Sequence, residues 1–259
     1  MHNLSEHNCF CVVVPTYNHA STLAQVVTDI RMLGCDVLVV NDGSTDDTSL
    51  VLSHLQQEVV PNETNFHVIS YIKNRGKGYA LRLAIRRLHE LGYRYAISMD
   101  ADGQHAPKDI ILFLQDIELY SNTLCIGARG MKHENMPKKN SFANRFSNFW
   151  FAVQTGRSLP DTQSGFRLYP IHKISKMRFI STRYEWELEV LVRAAWAGIS
   201  LVSIPISVYY QPVNERISHF RPGVDFFRIS LLNTLLCFGA LLYFYPVTLF
   251  RFLFLKSNR

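Results

Sequence analysis

Residues 36–48, DVLVVNDGSTDDT, hold the reading that decides the fold. An unbroken apolar run, Val37 to Val40, ends in Asn41 and Asp42 and turns at Gly43 into Ser44, Thr45 and Asp46, residue types that cap helices. This is a buried strand that hands a carboxylate to a loop and a helix N-terminus. Thr45 and Asp46 suffice for the cap, which leaves Asp42 for another task. An acid at a strand end in this position suits a ribose hydroxyl or a base N–H.

Runs of the same kind recur along the chain: CFCVVVP (9–15), FHVISYI (66–72), YRYAISMD (93–100), TLCIGA (123–128) and SLVSIPISVYY (200–210). Between and after them, residues 21–33, 46–57, 77–91, 107–120, 141–155 and 186–198 place apolar side chains three and four apart, as Ile110, Leu114 and Ile117 do, and are predicted helices. RGMKHENMPKK (129–139) is aperiodic and reads as a loop. The alternation predicts an α/β fold with a mostly parallel, Rossmann-like sheet flanked by helices. Ligands bind such sheets at the carboxyl ends of the strands, where PTYNH, NDGSTDD, NRGKG and DADGQH fall.

The 259 residues are 47% hydrophobic, enough for one substantial core. Cys9, Cys11, Cys35, Cys125 and Cys237 are odd in number and lack zinc spacing, so they read as reduced thiols of a cytosol-facing protein without a signal peptide. The net charge of +6 is uneven. Residues 1–128 hold 9 basic and 14 acidic side chains, whereas residues 129–183 hold 11 and 2. That basic block suits an anionic partner, a phospholipid surface or a phosphate-bearing substrate. No helix-turn-helix, zinc-finger or RNA-recognition pattern accompanies it, so nucleic acid is not expected.

The chemistry concentrates in DADGQH (100–105). Asp100 and Asp102 leave a strand end one residue apart, where burial is costly unless a cation pairs with them. Mg²⁺ or Mn²⁺ takes such oxygen ligands, with the Gln104 amide extending the set and nucleotide phosphates completing the shell. NRGKG (74–78) sets Arg75 and Lys77 at a helix N-terminus, a place for phosphate. No P-loop or GxGxxG is present, which disfavours ATP hydrolysis and hydride transfer.

In seven segments, VVVPTYN (12–18), VVNDGSTDDT (39–48), NRGKGYAL (74–81), DADGQH, IGAR (126–129), DTQSGFRLYP (161–170) and YEWELEVLVRA (184–194), the sequence resembles the family 2 glycosyltransferases of GT-A fold. The resemblance spans about residues 9–222 and is nearest the dolichyl- or polyprenyl-phosphate sugar synthase-like branch. It implies an inverting transfer from a UDP- or GDP-sugar, with Mg²⁺ or Mn²⁺ on residues matching Asp100, Asp102 and Gln104. Pro15, Tyr17, Asp42, Lys77 and Asp100 would face the nucleotide, and Arg129 and Arg145 match arginines assigned to an acceptor phosphate. Three positions depart from the pattern: His19 stands where many relatives have Glu, Ala106 precedes Pro107, and ERISHFRPG (215–223) replaces a basic segment ending in Lys. Arg216, Ser218 and Arg221 stay candidates for diphosphate or acceptor contact.

Arg129, Arg145 and Arg167 lie in the basic block, suited to bidentate phosphate binding. A lipid phosphate acceptor is already anionic and needs no base; a lipid or polyene hydroxyl acceptor would need a carboxylate, for which Asp161 and Glu187 are candidates. Asp161 is equally suited to capping or to pairing with Arg167. A sugar-nucleotide-binding protein without catalysis would carry the same nucleotide loops. From Leu231 to Phe250 the chain runs 20 residues without a charge, the length of one membrane span. The expected organisation is a catalytic domain over 1–222, with a nucleotide-sugar half (9–128) and an acceptor half (129–222), followed by a membrane-associated helix over 223–259. The catalytic domain is expected on the cytoplasmic side.

Overall fold

The computed structural model describes residues 9–58, 64–115, 117–130, 138–209 and 221–255. Seven strands form one sheet in the order β3-β2-β1-β4-β6-β5-β7. β1 (Phe10–Thr16) lies between β2 (Val37–Asp42) and β4 (Tyr95–Ser98), parallel to both, and β3 (Phe66–Tyr71) extends the parallel set beyond β2. β5 (Thr123–Arg129) and β7 (Ser200–Ile206) pair in parallel, while β6 (Arg167–Pro170) runs antiparallel between β4 and β5. The mostly parallel α/β sheet expected from the apolar runs is present. β6 is the addition, four residues of DTQSGFRLYP that are too short to show a periodicity.

The central strands alternate their side chains between two cores. Cys11, Val13, Leu38 and Val40 face one side, against Ala80, Leu81, Ala84 and Leu88 of α3 (Lys77–Glu90) and Trp186, Val190 and Leu191 of α7 (Trp186–Trp196). Val12, Val14, Val37 and Val39 face the other, against Leu23, Val27 and Ile30 of α1 (Ala20–Met32) and Leu52 and Leu55 of α2 (Thr48–Gln57). Burial on both faces is why these strands are uninterrupted valine runs. β1 is the switch point of the sheet, with its neighbours reached in opposite directions, and the loops after β1, β2, β3 and β4 converge at its carboxyl edge.

The predicted helix over 107–120 is instead broken. A 3₁₀ turn at Pro107–Asp109 leads into α4 (Ile110–Leu114), and a second turn covers Ile117–Tyr120. At the join of the first two, the Asp109 carboxylate accepts the Ser207 N–H at 2.6 Å, tying this segment to the chain beyond β7. α5 (Lys138–Thr155) begins three residues before the expected start, and the short α6 (Ile171–Ile174) follows β6.

The C-terminal segment forms one long helix: α8 (Pro222–Gly239), a π-helical turn (Ala240–Phe244) and α9 (Tyr245–Leu255). Leu232, Leu236 and Ala240 are buried, and Phe244 stacks on Trp196 with ring centroids 5.8 Å apart. The remainder is an exposed apolar surface, with Leu231, Leu235, Phe238, Leu242, Leu249 and Phe252 all more than half accessible or at that level. Within Gly223–Phe254, the most apolar 18-residue window is only 11% buried, so this is no core helix. Its 32 residues extend about 48 Å at ~1.5 Å per residue.

Candidate active site

The loops after β1 and β2 are laced together. Asn18, the one non-glycine residue with positive φ (54°) among the described residues, accepts the Thr45 N–H on its side-chain oxygen at 2.7 Å, and its own N–H donates to Ser44 Oγ at 3.0 Å. Asp46 accepts from the Ala20 N–H at 3.1 Å, closing the start of α1, and from the Thr48 N–H at 3.1 Å, closing the start of α2. Capping thus falls to Asp46, and Asp42 is spared for the loop after β3. Its buried carboxylate accepts the Arg75 N–H at 2.6 Å, the Gly76 N–H at 2.8 Å and the Asn74 side-chain amide at 3.0 Å. Gly76 has φ 99°, and a Cβ there would lie 2.4 Å from Arg183 Cγ, so glycine alone lets this loop close against the start of α7.

At the end of β4, Asp100 meets Lys77 from the first turn of α3, Nζ to Oδ1 2.6 Å. The same ammonium lies 3.0 Å from Oε1 of Glu187 in the first turn of α7. Burial by itself would lower the lysine pKa, but the two carboxylates more than offset this and hold it above the ordinary value. Burial raises Asp100 in turn, yet Lys77 outweighs it and brings that carboxyl down to about 2. Asp102 is pushed up to about 6 by burial and by the neighbouring Asp100, with one compensating bond from the Gln104 N–H at 3.0 Å. His105 is pushed down to about 4 by burial and packs its ring on Phe166, centroids 5.2 Å apart.

Lys77, Asp100 and Asp102 line a cleft of about 540 Å³ at the carboxyl edge of the sheet. Pro15, Tyr17, Asp42, Lys77 and Asp100, the residues expected to face a nucleotide, all contribute to its wall; so do Asp102, expected as a metal ligand, and Arg221, expected as a phosphate or acceptor contact, and Gln104 does not. Asp100 raises the proton affinity of its neighbour Asp102, and such a pair of carboxylates is a place where a hard divalent cation is favoured. Among the described residues no group of three or more His, Cys, Asp or Glu is arranged to hold a metal. A cation on Asp100 and Asp102 would therefore draw the rest of its shell from donor oxygens or water, as Mg²⁺ does. The residues fit such an ion.

The arginines of the basic block go to different places. Arg129 forks onto Asp161, Nε to Oδ2 2.6 Å and Nη2 to Oδ1 3.0 Å. Asp161 is fully buried and also accepts the Gln163 and Ser164 N–H groups at 3.0 and 3.1 Å, so it both caps a turn and pairs, with Arg129 rather than Arg167. Arg167 is fully buried on three carbonyls, those of Ser164 at 2.7 Å, Glu187 at 2.6 Å and Thr162 at 2.9 Å. Arg145 is exposed on α5, on a face shared with Phe146, Phe149 and the half-buried Trp150, while Phe151 is core. Arg216 and Ser218 lie outside the described residues.

Sequence reasoning passed over Arg183, Tyr184 and Asp225, which complete the cleft wall. Arg183 donates to Asn74 Oδ1 at 2.9 Å. Nothing periodic marks it, since it stands in the irregular STRY segment (181–184), where position in space alone gives it meaning.

The sequence profile described as Glycosyl transferase family 2 matches residues 11–176. The chain belongs to this family. It is a glycosyltransferase with a GT-A-type fold. Among its relatives is the UDP-N-acetylglucosamine–dolichyl-phosphate N-acetylglucosaminyltransferase of Methanococcus voltae, 29% identical over 213 residues, covering 77% of this chain and 85% of that protein. Another is the polyprenol monophosphomannose synthase of Mycolicibacterium smegmatis, 28% identical over 205 residues and 76% of each chain. Of solved structures, mannosyl-3-phosphoglycerate synthase from Rubrobacter xylanophilus superposes with TM-score 0.58 at 18% identity, over 96% of this chain and 76% of that one. The mannosyltransferase of Pyrobaculum calidifontis, solved with GDP-Man and Mn²⁺, superposes with TM-score 0.53 at 18% identity, over 76% of this chain and 55% of that one.

Proposed function

We propose that this glycosyltransferase moves a sugar from a UDP- or GDP-sugar to a polyprenyl phosphate, with inversion, at a membrane surface and with the catalytic domain on the cytoplasmic side. The observation that carries the reading is the cleft itself. It sets the Asp100–Asp102 carboxylates, the Lys77 ammonium and the Arg221 side of the C-terminal helix around one space large enough for a nucleotide.

In this reading Asp100 and Asp102 hold Mg²⁺ or Mn²⁺, which supplies charge neutralisation for the leaving diphosphate. Lys77 and Arg221 add positive charge on the same side, while Asp42 shapes the 74–76 loop that faces the nucleoside. A phosphate acceptor is favoured because neither carboxylate expected to serve as a base is poised for it. Asp161 is enclosed by Arg129 and two N–H groups, and Glu187 is engaged with Lys77. An anionic phosphate oxygen attacks without one.

Relatives named for dolichyl-phosphate and polyprenol-phosphate transfer point the same way. So does the exposed apolar helix Gly223–Phe254, long enough to cross a bilayer or lie in its interface. The test is a thermal-shift panel of UDP- and GDP-sugars with Mn²⁺, followed by incubation of the best donor with polyprenyl phosphate in vesicles and mass analysis. A glycosylated polyprenyl phosphate is expected. Donor binding without product on any lipid phosphate would refute the acceptor, and sugar on a lipid hydroxyl would replace it.

A further inference from the structure

We propose that Glu187 is a positioning residue, which divides the Lys77 ammonium between itself and Asp100 so that Asp100 remains available to a divalent cation. The inference rests on the reading of Asp100 and Asp102 as the cation site.

The geometry isolates the three groups as a unit. Lys77 Nζ stands 2.6 Å from Asp100 and 3.0 Å from Glu187, with side-chain exposures of 15%, 27% and 11% for Lys77, Asp100 and Glu187. Lys77 and Glu187 are supplied by the first turns of two helices that pack closely, and Asp100 by the loop after β4. A Cβ on Gly78 would lie 2.3 Å from Trp186 Cβ and 2.7 Å from the Arg183 carbonyl oxygen, so the first turn of α3 packs tightly on the start of α7 and brings Lys77 beside Glu187. Arg167 fixes Glu187 from behind, donating to its backbone carbonyl at 2.6 Å. Gly165 closes the remaining side: a Cβ there would meet Asp100 Oδ2 at 2.6 Å and Lys77 Nζ at 2.7 Å. The ammonium thus has little freedom except along the line between its two carboxylates.

Position along that line decides what Asp100 can do. An ammonium held wholly by Asp100 competes with a metal for the same carboxylate. One that Glu187 draws away leaves the carboxylate to the metal and keeps a positive charge beside the diphosphate. Glu187 therefore acts through Lys77, and its effect disappears when Lys77 is uncharged.

The experiment is a double-mutant cycle on the full chain in detergent, reading Mn²⁺ affinity by electron paramagnetic resonance of the free ion, with no donor present. Glu187→Gln keeps the shape of the side chain and the carbonyl used by Arg167. It is expected to weaken Mn²⁺ binding by roughly 10- to 100-fold, the usual range for loss of an outer-shell partner. Lys77→Met is expected to bind Mn²⁺ at least as well as the parent, and adding Glu187→Gln to it should change the affinity less than twofold. An equal loss in both backgrounds would mean that Glu187 acts by its charge alone, and would overturn the proposal while leaving the cation site standing. A parent chain that binds no Mn²⁺ would refute the cation site and the proposal together.

Discussion

Asp102 and Asp42 show how the same residue type takes different surroundings in the wall of one cleft. Asp102 accepts the Gln104 N–H and has a pKa pushed up to about 6 by burial and by Asp100, the state of a carboxylate that gains from a cation. Asp102→Ala is expected to abolish turnover and Mn²⁺-dependent nucleotide binding, and full turnover in saturating Mn²⁺ or Mg²⁺ would rule out its role. Asp42 already accepts three bonds from residues 74–76. Asp42→Asn replaces one acceptor oxygen by a donor amide that faces N–H groups, which should destabilise the fold by about 1–3 kcal/mol in urea unfolding. Donor affinity should fall with it, since the loop so held forms part of the cleft. Both aspartates were legible as strand-end acids, but only Asp42's partners reveal that it works by holding a loop.

At the scale of elements, the decisive packing is that of α3, α7 and the entry to β6 around Lys77. Two glycines permit it, Gly78 against Trp186 and Gly165 against Asp100 and Lys77. Gly165→Ala introduces a Cβ within 2.7 Å of both members of the Lys77–Asp100 pair. The expected outcome is at least a tenfold loss of kcat with a melting temperature lowered by only a few degrees, because the clash falls on two side-chain ends and not on the core. A large drop in melting temperature with kcat unchanged in the folded fraction would contradict this. The elements themselves were readable where periodicity is long: α1, α3 and α7 lie within two residues of expectation. The segment over 107–120 was not: it divides into two 3₁₀ turns and α4, and its tie from Asp109 to Ser207 spans 98 residues and has no trace in local pattern.

For the whole molecule, the C-terminal helix packs on the domain by one face up to about Tyr245 and is exposed beyond it. Leu232, Leu236 and Ala240 belong to the core side, and Tyr245 donates to the Val153 carbonyl at 2.6 Å. Beyond it, Leu249, Phe250, Phe252, Leu253 and Phe254 are exposed. A chain ending after Tyr245 should therefore stay folded and bind Mn²⁺, yet pellet several-fold less with phospholipid vesicles in a sedimentation assay. Undiminished sedimentation would assign membrane binding to another surface. Cutting before Leu231, the boundary suggested by charge alone, would remove the core contacts of Leu232, Leu236 and Ala240 along with the exposed apolar surface.

The sequence by itself determined the mostly parallel α/β alternation, because buried strands and capped helices leave local signatures of composition and period, while its motifs carried the resemblance to the family. Only the tertiary structure decided the pairings. That Asp161 serves Arg129, that Arg167 is walled in on three carbonyls, and that Glu187 shares Lys77 with Asp100 all follow from contacts between distant segments. A buried charge must find its partner across space, and the partner's identity depends on which elements the core brings face to face.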